Sequence, residues 1–532
     1  MDIPSLFMIP SAVSSGKVHS VFPNSTDADF DFNRDSDATR VNSEGLIERV
    51  GYYGSELVTN GGFDTDSNWT KGTGWSISNG KASCNGSQSA NSLFFQNIGV
   101  LGNKTVRFTF TVSNYSAGQL STSFFGASGT TTHNVTANGE YSFVIDVQSG
   151  HNGNSGFTAN SSFIGTVDNV SIKEVTGDRA RLNYEIEGGL VNTKPSLLLE
   201  PQSTNLIPYS NPIEVSGGWQ IFDNGSIQTN YEISPMGIKN ASLVGTQGGV
   251  NDFIFDSITI SNSATYTVSF YIKNIDSQAT GFYAPSSVDG RINWNGAEIS
   301  SIVGTGANYE ELSNGWYRVH QTTTSTSTNV ITRIYSDRVS TGSVLIFGYQ
   351  LEEQSYPTSL IPTNGSTQTR AAETCNGAGT SSILPSEEGI LYAEIAALAD
   401  DGTFRMLSVS DGTNDNRVRI NYSATNGQIQ VRLVTGGVTQ ADLAKYSTVV
   451  TSFHKTAIRY KANEVKLYVD GSQVGNTDTS ASVPSAGTFD QVNFYGGLAS
   501  NYFYGKVRDI RVYNTKEMTD SEVDILLTKI TS

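Results

Sequence analysis

Three arginines are the residues whose spacing most directly suggests chemistry in this chain. Arg417 and Arg419 lie in the predicted strand RVRINYS, and Arg432 lies in the neighbouring predicted strand QIQVRLV. Jelly-roll polysaccharide lyases need an Arg, a His or Gln and a Tyr that converge on one concave sheet, so an enzyme is not excluded by fold alone. Surface arginines are also commonplace on an acidic protein, and we prefer to interpret these three as surface residues without a catalytic role.

The histidines give no support to catalysis. Five are scattered along the chain: His19, His133, His151, His320 and His454. They form no H-E-x-x-H motif and no pair at metal-binding spacing, and the sequence contains no nucleophile elbow. We therefore predict no catalytic residue and a protein that is not an enzyme.

The tryptophans are the candidates for contact with sugars, because sugar rings stack on exposed aromatic faces. Trp69 and Trp75 flank a Gly-rich turn, and Trp294 lies between polar turn residues in RINWNGAE. We predict these three as glycan-binding residues; the alternative for Trp69 and Trp75 is packing at the end of a sandwich. Trp219 and Trp316, at a strand entry and inside the strand-like GWYRV, are predicted to be core.

The excess of acidic over basic residues limits the kinds of partner that the protein can bind. A formal net charge of −17 at pH 7 argues against nucleic acid or an anionic membrane, and solubility alone accounts for it. No apolar run reaches transmembrane length, so no membrane insertion is predicted. The opening MDIPSLFMIP lacks the basic start of a signal peptide. Cys84 and Cys375 fall in different predicted modules, so no disulfide is predicted.

The composition predicts an all-β fold. A chain of 532 residues is too long for one core, and 53 glycines with only 16% charged and 10% aromatic residues favour sandwiches with polar turns. The plan of residues 56–175, with its alternating strand RFTFTV, is repeated over residues 204–353. We predict a string of three antiparallel jelly-roll β-sandwiches with a β-rich N-terminal anchor segment and one short C-terminal helix.

Local signals are clearest near the C-terminus. Asp470-Gly471 predicts a hairpin turn. Thr519 followed by Glu522 forms a capping box at the start of the predicted helix. An apolar stripe on that helix is expected to face the sandwich, and it consists of Val523, Leu526, Leu527 and Ile530.

Three segments resemble virion proteins of bacteriophages. They are DFDFNRDSDATRVNSEGLIERV (29–50), LLLEPQSTNLIPYS (197–210) and FGYQLEEQSYPTSLIPTNGSTQTRAAE (347–373). The first two normally follow each other closely in phage fibre-like proteins, so residues 56–175 are interpreted as a module inserted between Val50 and Asp178. The resemblance implies a virion-surface protein, made in the host cytoplasm, with other virion proteins as partners.

Two further resemblances concern the modules. Residues 56–175, opening with NGGF and closing with DNVS, resemble carbohydrate-binding jelly rolls, and residues 204–373 repeat that plan. Residues 386–532 resemble laminin-G or concanavalin A-like sandwiches. Residues 1–55, continuing at 176–203, are predicted as the anchor. Related jelly rolls hold a structural Ca²⁺, for which Asp168 and Asp64 are the candidate metal ligands.

The function predicted from these observations is that of a non-enzymatic virion surface protein, a fibre, spike or capsid decoration. It is expected to bind host-surface or environmental polysaccharide as a homo-oligomer, with a trimer favoured by resemblance to phage fibres. The alternatives are a purely structural capsid or tail protein and a polysaccharide depolymerase. We also expect the N-terminal segment to anchor the protein to the virion and the C-terminal sandwich to be peripheral. Removal of the C-terminal sandwich should then not prevent incorporation of the protein into particles.

Overall fold

A computed structural model describes residues 3–14, 16–51, 54–175, 179–214, 218–246, 249–283, 289–497 and 501–532. The described residues form antiparallel sheets and a single α-helix, which confirms the predicted all-β class. Asp178, the predicted end of the insertion, lies outside these ranges. The N-terminal segment contributes six short strands: β1 (Leu6–Met8), β2 (Val13–Ser14), β3 (Lys17–Val18), β4 (Phe30–Asn33), β5 (Thr39–Val41) and β6 (Ile47–Arg49).

Residues 56–175 form a sandwich of their own. Its ten strands are β7 (Thr70–Lys71), β8 (Trp75–Ser78), β9 (Lys81–Asn85), β10 (Ser92–Asn97), β11 (Lys104–Ala117), β12 (Leu120–Phe124), β13 (Asn134–Val135), β14 (Gly139–Val147), β15 (Asn154–Ala159) and β16 (Ile164–Glu174). They make two five-stranded sheets, β13-β12-β15-β10-β7 and β14-β11-β16-β9-β8. Alternation explains the packing, because β11 buries Val106, Phe108, Phe110 and Val112 and leaves the residues between them at least partly exposed.

The two ends of this inserted sandwich meet. The Gly54 N–H donates to the Glu174 carbonyl at 2.9 Å, and the Leu57 N–H donates to the Ile172 carbonyl at 3.0 Å. A module whose ends are adjacent interrupts its host at a single point.

Short strands follow the insertion and connect it to the second sandwich: β17 (Arg181–Asn183), β18 (Ile186–Glu187), β19 (Leu190–Val191), β20 (Ser196–Leu199) and β21 (Ser203–Asn205). The second sandwich contains β22 (Gln220–Phe222), β23 (Gly225–Ile233), β24 (Lys239–Thr246), β25 (Phe253–Thr259), β26 (Thr265–Asn274), β27 (Ala279–Tyr283), β28 (Asp289–Asn295), β29 (Glu298–Val303), β30 (Ala307–Glu311), β31 (Tyr317–Thr324), β32 (Asn329–Tyr335) and β33 (Ser343–Glu352). Its sheets have the orders β22-β25-β32-β27-β28-β29 and β23-β24-β33-β26-β31-β30.

The last part of the chain contains β34 (Gln368–Arg370), β35 (Thr374–Asn376), β36 (Gly389–Ala397), β37 (Arg405–Ser410), β38 (Arg417–Tyr422), β39 (Ile429–Thr435), β40 (Val438–Lys445), β41 (His454–Lys461), β42 (Glu464–Val469), β43 (Ser472–Asp478), β44 (Gln491–Asn493), β45 (Gly505–Asn514) and α1 (Asp520–Thr531). The capping box of Thr519 and Glu522 is present at α1, and the predicted apolar stripe is buried against the sandwich, as expected.

The C-terminal sandwich is larger than the predicted range 386–532. One of its sheets has five strands, β40-β39-β38-β37-β44, and the other has eight, in the order β17-β20-β45-β36-β41-β42-β43 with β1 also on β45. Leu6, Met8, Leu197 and Leu199 belong to its core. From the segments predicted as a separate anchor, β1, β17 and β20 are therefore strands of this sandwich, whereas Ile47 on β6 packs against the second sandwich. Removal of residues 386–532 would take away β45, the strand partner of β1 and β20, so the C-terminal sandwich is not a unit separate from the anchor.

Five charged side chains are buried where the N-terminal segment, the strands after the insertion and the second sandwich meet. We call Arg34, Arg181, Glu200, Arg370 and Glu373 the ion cluster; each side chain is at most 4% exposed. Glu373 lies 2.7 Å from Arg34 Nη1 and accepts from Arg181 Nε at 2.8 Å. Glu200 lies 2.8 Å from Arg181 Nη1 and 2.9 Å from Arg370 Nη1.

The arginines keep both glutamates of the ion cluster ionised. Burial alone would raise the pKa of Glu373, but the charges of Arg181 and Arg34 outweigh it and lower the pKa. Burial likewise opposes ionisation of Glu200, and Arg370 and Arg181 lower its pKa well below the usual range. A carboxyl whose pKa is depressed by folding adds stability above its unfolded pKa and loses it as the pH falls through the folded value.

The first prediction concerns this cluster. Glu373→Gln leaves Arg34 and Arg181 buried without their shared counter-charge, so we expect the free energy of unfolding to fall by about 3–5 kcal/mol. Urea denaturation at neutral pH measures the loss.

The control is Glu387→Gln, because Glu387 is exposed and lies 3.4 Å from exposed Lys516; there we expect a change within about 0.5 kcal/mol. The difference between wild type and Glu373→Gln should shrink as the pH falls below about 4, where the unfolded carboxyl is protonated. Equal stability of wild type and Glu373→Gln would show that the cluster does not hold the fold.

A second prediction concerns the insertion. Deletion of residues 56–175 should leave the other two sandwiches folded, because the deleted part has its own core and its ends are adjacent. Solubility and the thermal transition of the remaining sandwiches measure this. Aggregation, or loss of that transition, would show that the module is part of its host's core.

Candidate binding site on the C-terminal sandwich

The five-stranded sheet of the C-terminal sandwich has one apolar and one polar face. In β38 the side chains of Val418, Ile420 and Tyr422 belong to the core. The alternate residues, Arg417, Arg419 and Asn421, therefore point to the other face. The same alternation in β39 buries Val431 and turns its neighbours outward. We call the outward set the arginine face: Arg417, Arg419, Asn421, Gln430 and Arg432.

Strand register brings the three arginines together. Arg419 lies directly opposite Arg432 on β39 and opposite Ser408 on β37. Directly opposed residues have their Cβ atoms about 4.5–5.5 Å apart. Arg417 is two residues away on the same face of β38, at about 7 Å. The predicted placement of these arginines on adjacent strands is confirmed.

Two of the three guanidinium groups have oxygen partners. Arg432 binds the Asp442 carboxylate, with Nε donating at 3.1 Å, and Arg417 donates to the Asn414 side chain and to the Gly496 carbonyl. These contacts fix the two outer arginines.

Arg419 differs from its neighbours. It is 4% exposed, and its Nη1 lies 3.1 Å from Met406 Sδ, a weak acceptor. Its Nε has no hydrogen-bond partner among the residues that the structure describes. Burial, followed by the charges of Arg432 and Arg417, lowers the pKa of Arg419 to about 10. A buried cation therefore has donors without a matching acceptor.

An amide next to Arg419 is in a similar state. Asn421 is fully buried, and its Nδ2 donates to Gln430 Oε1 at 3.1 Å, while its Oδ1 has no partner in the described part of the chain. Gln430 in turn donates from Nε2 to Asp442 at 2.6 Å. The face thus combines a cation that has no oxygen partner with a fixed polar network, which is an arrangement suited to binding a polar ligand.

The structure gives Trp69 and Trp75 a packing role. Both are 7% exposed and belong to the core of the inserted sandwich. Their rings stack on Phe94, with centroids 4.7 and 4.6 Å away, and Trp69 Nε1 donates to the Asn60 carbonyl. Neither ring presents an open face to a sugar, because both are buried against Phe94; the packing alternative describes them.

Trp294 is half-buried in β28. Its Nε1 donates to Thr280 Oγ1 at 2.9 Å, and its ring meets Tyr317 edge-on. It lies in the second sandwich, whereas Trp69 and Trp75 lie in the inserted one, so the structure does not bring the predicted glycan-binding residues together. Trp219 and Trp316 are buried, as predicted.

The candidate calcium ligands do not form a cage. Asp168 accepts the Asn169 N–H at 2.7 Å, and Asp64 is exposed in the turn that follows the first core residues of the inserted sandwich. No three His, Cys, Asp or Glu side chains in the described ranges come together as a metal-binding group.

Backbone oxygens beside these carboxylates are already engaged. The Asn60 carbonyl accepts Trp69 Nε1, and the Gly61 carbonyl accepts the Val170 N–H at 2.9 Å. A carbonyl oxygen has two lone pairs, so one N–H contact does not exclude a cation. Calcium binding through Asp168 and Asp64 stays a prediction.

A second polar and aromatic surface was not predicted from the sequence. On the outer face of the second sandwich, Arg333 lies over the rings of Phe253 and Tyr283, at 4.8 and 5.0 Å from their centroids. Phe253 also stacks on Phe222 at 4.6 Å. The only sequence signal is the alternation in FIFDSI. Because Ile254 points into the core, its neighbour Phe253 points to the other face of the sheet.

Comparison with known proteins identifies one region. Residues 391–524 match the model of the concanavalin A-like lectin/glucanases superfamily, so the predicted resemblance of the C-terminal region is confirmed there. No curated protein sequence matches the chain. Within the described ranges there is no helix with the length and apolar character needed to cross a membrane.

Solved structures show partial likeness. The CBM40 of Ruminococcus gnavus IT-sialidase, bound to α2,3-sialyllactose, is 18% identical over 28% of this chain and 87% of its own, with a TM-score of 0.24. Domains LG4-5 of the mouse laminin α1 chain are 12% identical over 57% and 92%, with a TM-score of 0.18. The CBM22 tandem of Paenibacillus barcinonensis Xyn10C is 10% identical over 57% and 100%, with a TM-score of 0.19. These scores are too low to support an inference.

The third prediction separates packing from binding for Trp69. Trp69→Ala removes a buried ring stacked on Phe94, so the inserted sandwich should lose about 3–5 kcal/mol of stability. Leu93→Ala is the matched control, because Leu93 precedes Phe94 on β10 and is 37% exposed. Urea denaturation compares the stability of the two variants. A Trp69→Ala variant that is as stable as wild type but binds sugar more weakly would show that Trp69 contacts the ligand.

Proposed function

We propose that this chain is a non-enzymatic surface protein of a bacteriophage particle that binds polysaccharide through the arginine face of its C-terminal sandwich. The observation that carries the proposal is the unpaired polar groups of that face, on a region that matches the concanavalin A-like lectin/glucanases superfamily. Buried polar groups without partners are costly, and a ligand rich in hydroxyl and anionic oxygens would satisfy them.

The resemblance to phage fibre-like proteins supports the virion part of the proposal. Its segments contribute four of the five residues of the ion cluster: Arg34 comes from the first segment, Glu200 from the second, and Arg370 and Glu373 from the third. The charged residues of these segments therefore act together despite their separation in sequence. The partners of the protein are other virion proteins and cell-surface polysaccharide.

Weak single sites require many copies. A shallow sugar site contributes about 4 kcal/mol, which corresponds to a millimolar dissociation constant. Linked sites turn later binding events into intramolecular ones and so hold a particle that one site cannot. The protein therefore acts as a homo-oligomer, a trimer by resemblance to phage fibres, or in many copies over the particle.

The second candidate is a polysaccharide depolymerase, favoured by one observation. Arg419, Gln430 and Tyr495 all come from strands or turns of the same face, and the Tyr495 carbonyl accepts Ser408 Oγ. Burial raises the pKa of Tyr495, which lowers the fraction of its hydroxyl that is ionised and able to act as a base. Assays of new reducing ends and of unsaturated products on each bound polysaccharide separate binding from cleavage.

The fourth prediction tests glycan binding. Gln430→Trp puts a bulky ring over the arginine face, so binding of the purified protein on a glycan array should fall at least tenfold. Gln473→Trp is the matched control, because Gln473 is exposed on β43 of the opposite sheet in the same sandwich. Equal binding by both variants would place the site elsewhere, and no binding by wild type would favour the purely structural alternative. Immunogold labelling of particles released on lysis tests the virion location.

A further inference from the structure

The charge of the arginine face runs against that of the whole chain. The protein carries a formal net charge of −17, yet three arginines share this face with two nearby carboxylates: Asp442 pairs with Arg432, and the charge of Asp415 acts on Arg417. Opposed like charges on adjacent strands destabilise a sheet. The face therefore holds positive charge that the described side chains do not neutralise, at a cost in stability.

The buried position of Arg419 decides what kind of ligand would offset that cost. An exposed arginine is solvated by water, but Arg419 is 4% exposed and its Nη1 contacts a sulfur atom, Met406 Sδ. Neutral hydroxyls would satisfy the N–H donors without compensating the charge. A carboxylate or sulfate oxygen satisfies both, and charge-assisted hydrogen bonds to Arg are about twice as strong as neutral ones.

Neighbouring residues fit the rest of a sugar. The half-buried Gln430 and Arg432 lie beside Arg419 on the next strand. The face thus presents cationic donors beside a neutral amide, which matches an acidic group on a polyhydroxyl ring.

Resting on the proposed function, we infer that the arginine face selects acidic polysaccharides and binds their carboxylate or sulfate groups through Arg419, with Arg417 and Arg432 on either side. The geometry indicates an anionic group on a sugar. The anion is either the carboxylate of a uronate or a sulfate ester, and the experiment distinguishes the two.

The fifth prediction measures this selectivity on the full chain. The probes are alginate and carrageenan, with carboxyl-reduced alginate and desulfated carrageenan as their neutral counterparts. Arg419→Gln and the half-buried Arg432→Gln should each weaken binding to at least one acidic probe tenfold or more. Arg291→Gln is the matched control, since Arg291 is exposed in the second sandwich. Raised salt should weaken acidic binding further.

Melting temperatures separate a binding role from a structural one. Without ligand, Arg419→Gln should melt at the same temperature as wild type or higher, because it removes one of several like charges. The acidic probe should raise the melting temperature of wild type and not that of the variant.

Each result has a defined meaning. Weaker binding by both variants with an unchanged control supports the inference, and the probe affected distinguishes carboxylate from sulfate. Equal binding of acidic and neutral probes, or acidic binding unaffected in Arg432→Gln, overturns the inference and leaves the proposed function standing. A lower melting temperature of Arg419→Gln without ligand also overturns it. Failure to bind any glycan on the array overturns both.

Discussion

The arrangement of the sandwiches depends on the ion cluster. Each sandwich has its own apolar core, but the cluster joins Arg34, Arg181, Glu200, Arg370 and Glu373 from segments that lie far apart in the chain. Burying five charges is costly, and the cost is offset only when every partner is present. Loss of one segment would leave a buried charge unpaired. The cores therefore fold the sandwiches, and the cluster holds the N-terminal segment and the second sandwich in one position.

Arginine has two opposite environments in this protein. In the ion cluster each guanidinium meets a carboxylate, and backbone carbonyls of Val50 and Pro201 accept further donors. On the arginine face, Arg419 is nearly as buried but lacks both. The same side chain therefore serves as a structural tie in one place and as an unsatisfied donor in the other. That contrast within a single acidic chain points to a ligand at the second place, since stability alone gives no reason to keep an unpaired buried cation.

Local sequence determined the strands and the helix well. RVRINYS was predicted as a strand, and its first six residues form β38; the capping box at Thr519 was predicted because its partners are three residues apart. Interactions between distant residues could not be predicted. Arg34 and Glu373 are 339 positions apart, so no spacing rule pairs them. The direction of Trp69 was also beyond the sequence, because only the position of Phe94 on another strand decides which face of the turn is buried.

The pairing of β1 with β45 has a mechanical consequence. Leu6, Phe7 and Met8 lie antiparallel to Val512, Arg511 and Ile510, and the Ser5 N–H extends the ladder to the Val512 carbonyl. Suppose that the sandwich is held at its ligand and the chain ahead of Leu6 is pulled along the direction of β1. The pull then loads all of these hydrogen bonds together, in shear. A pull across the strand would break them one after another and would need far less force. A tether at this end would thus transmit pull directly into the sheet whose opposite layer carries the arginine face.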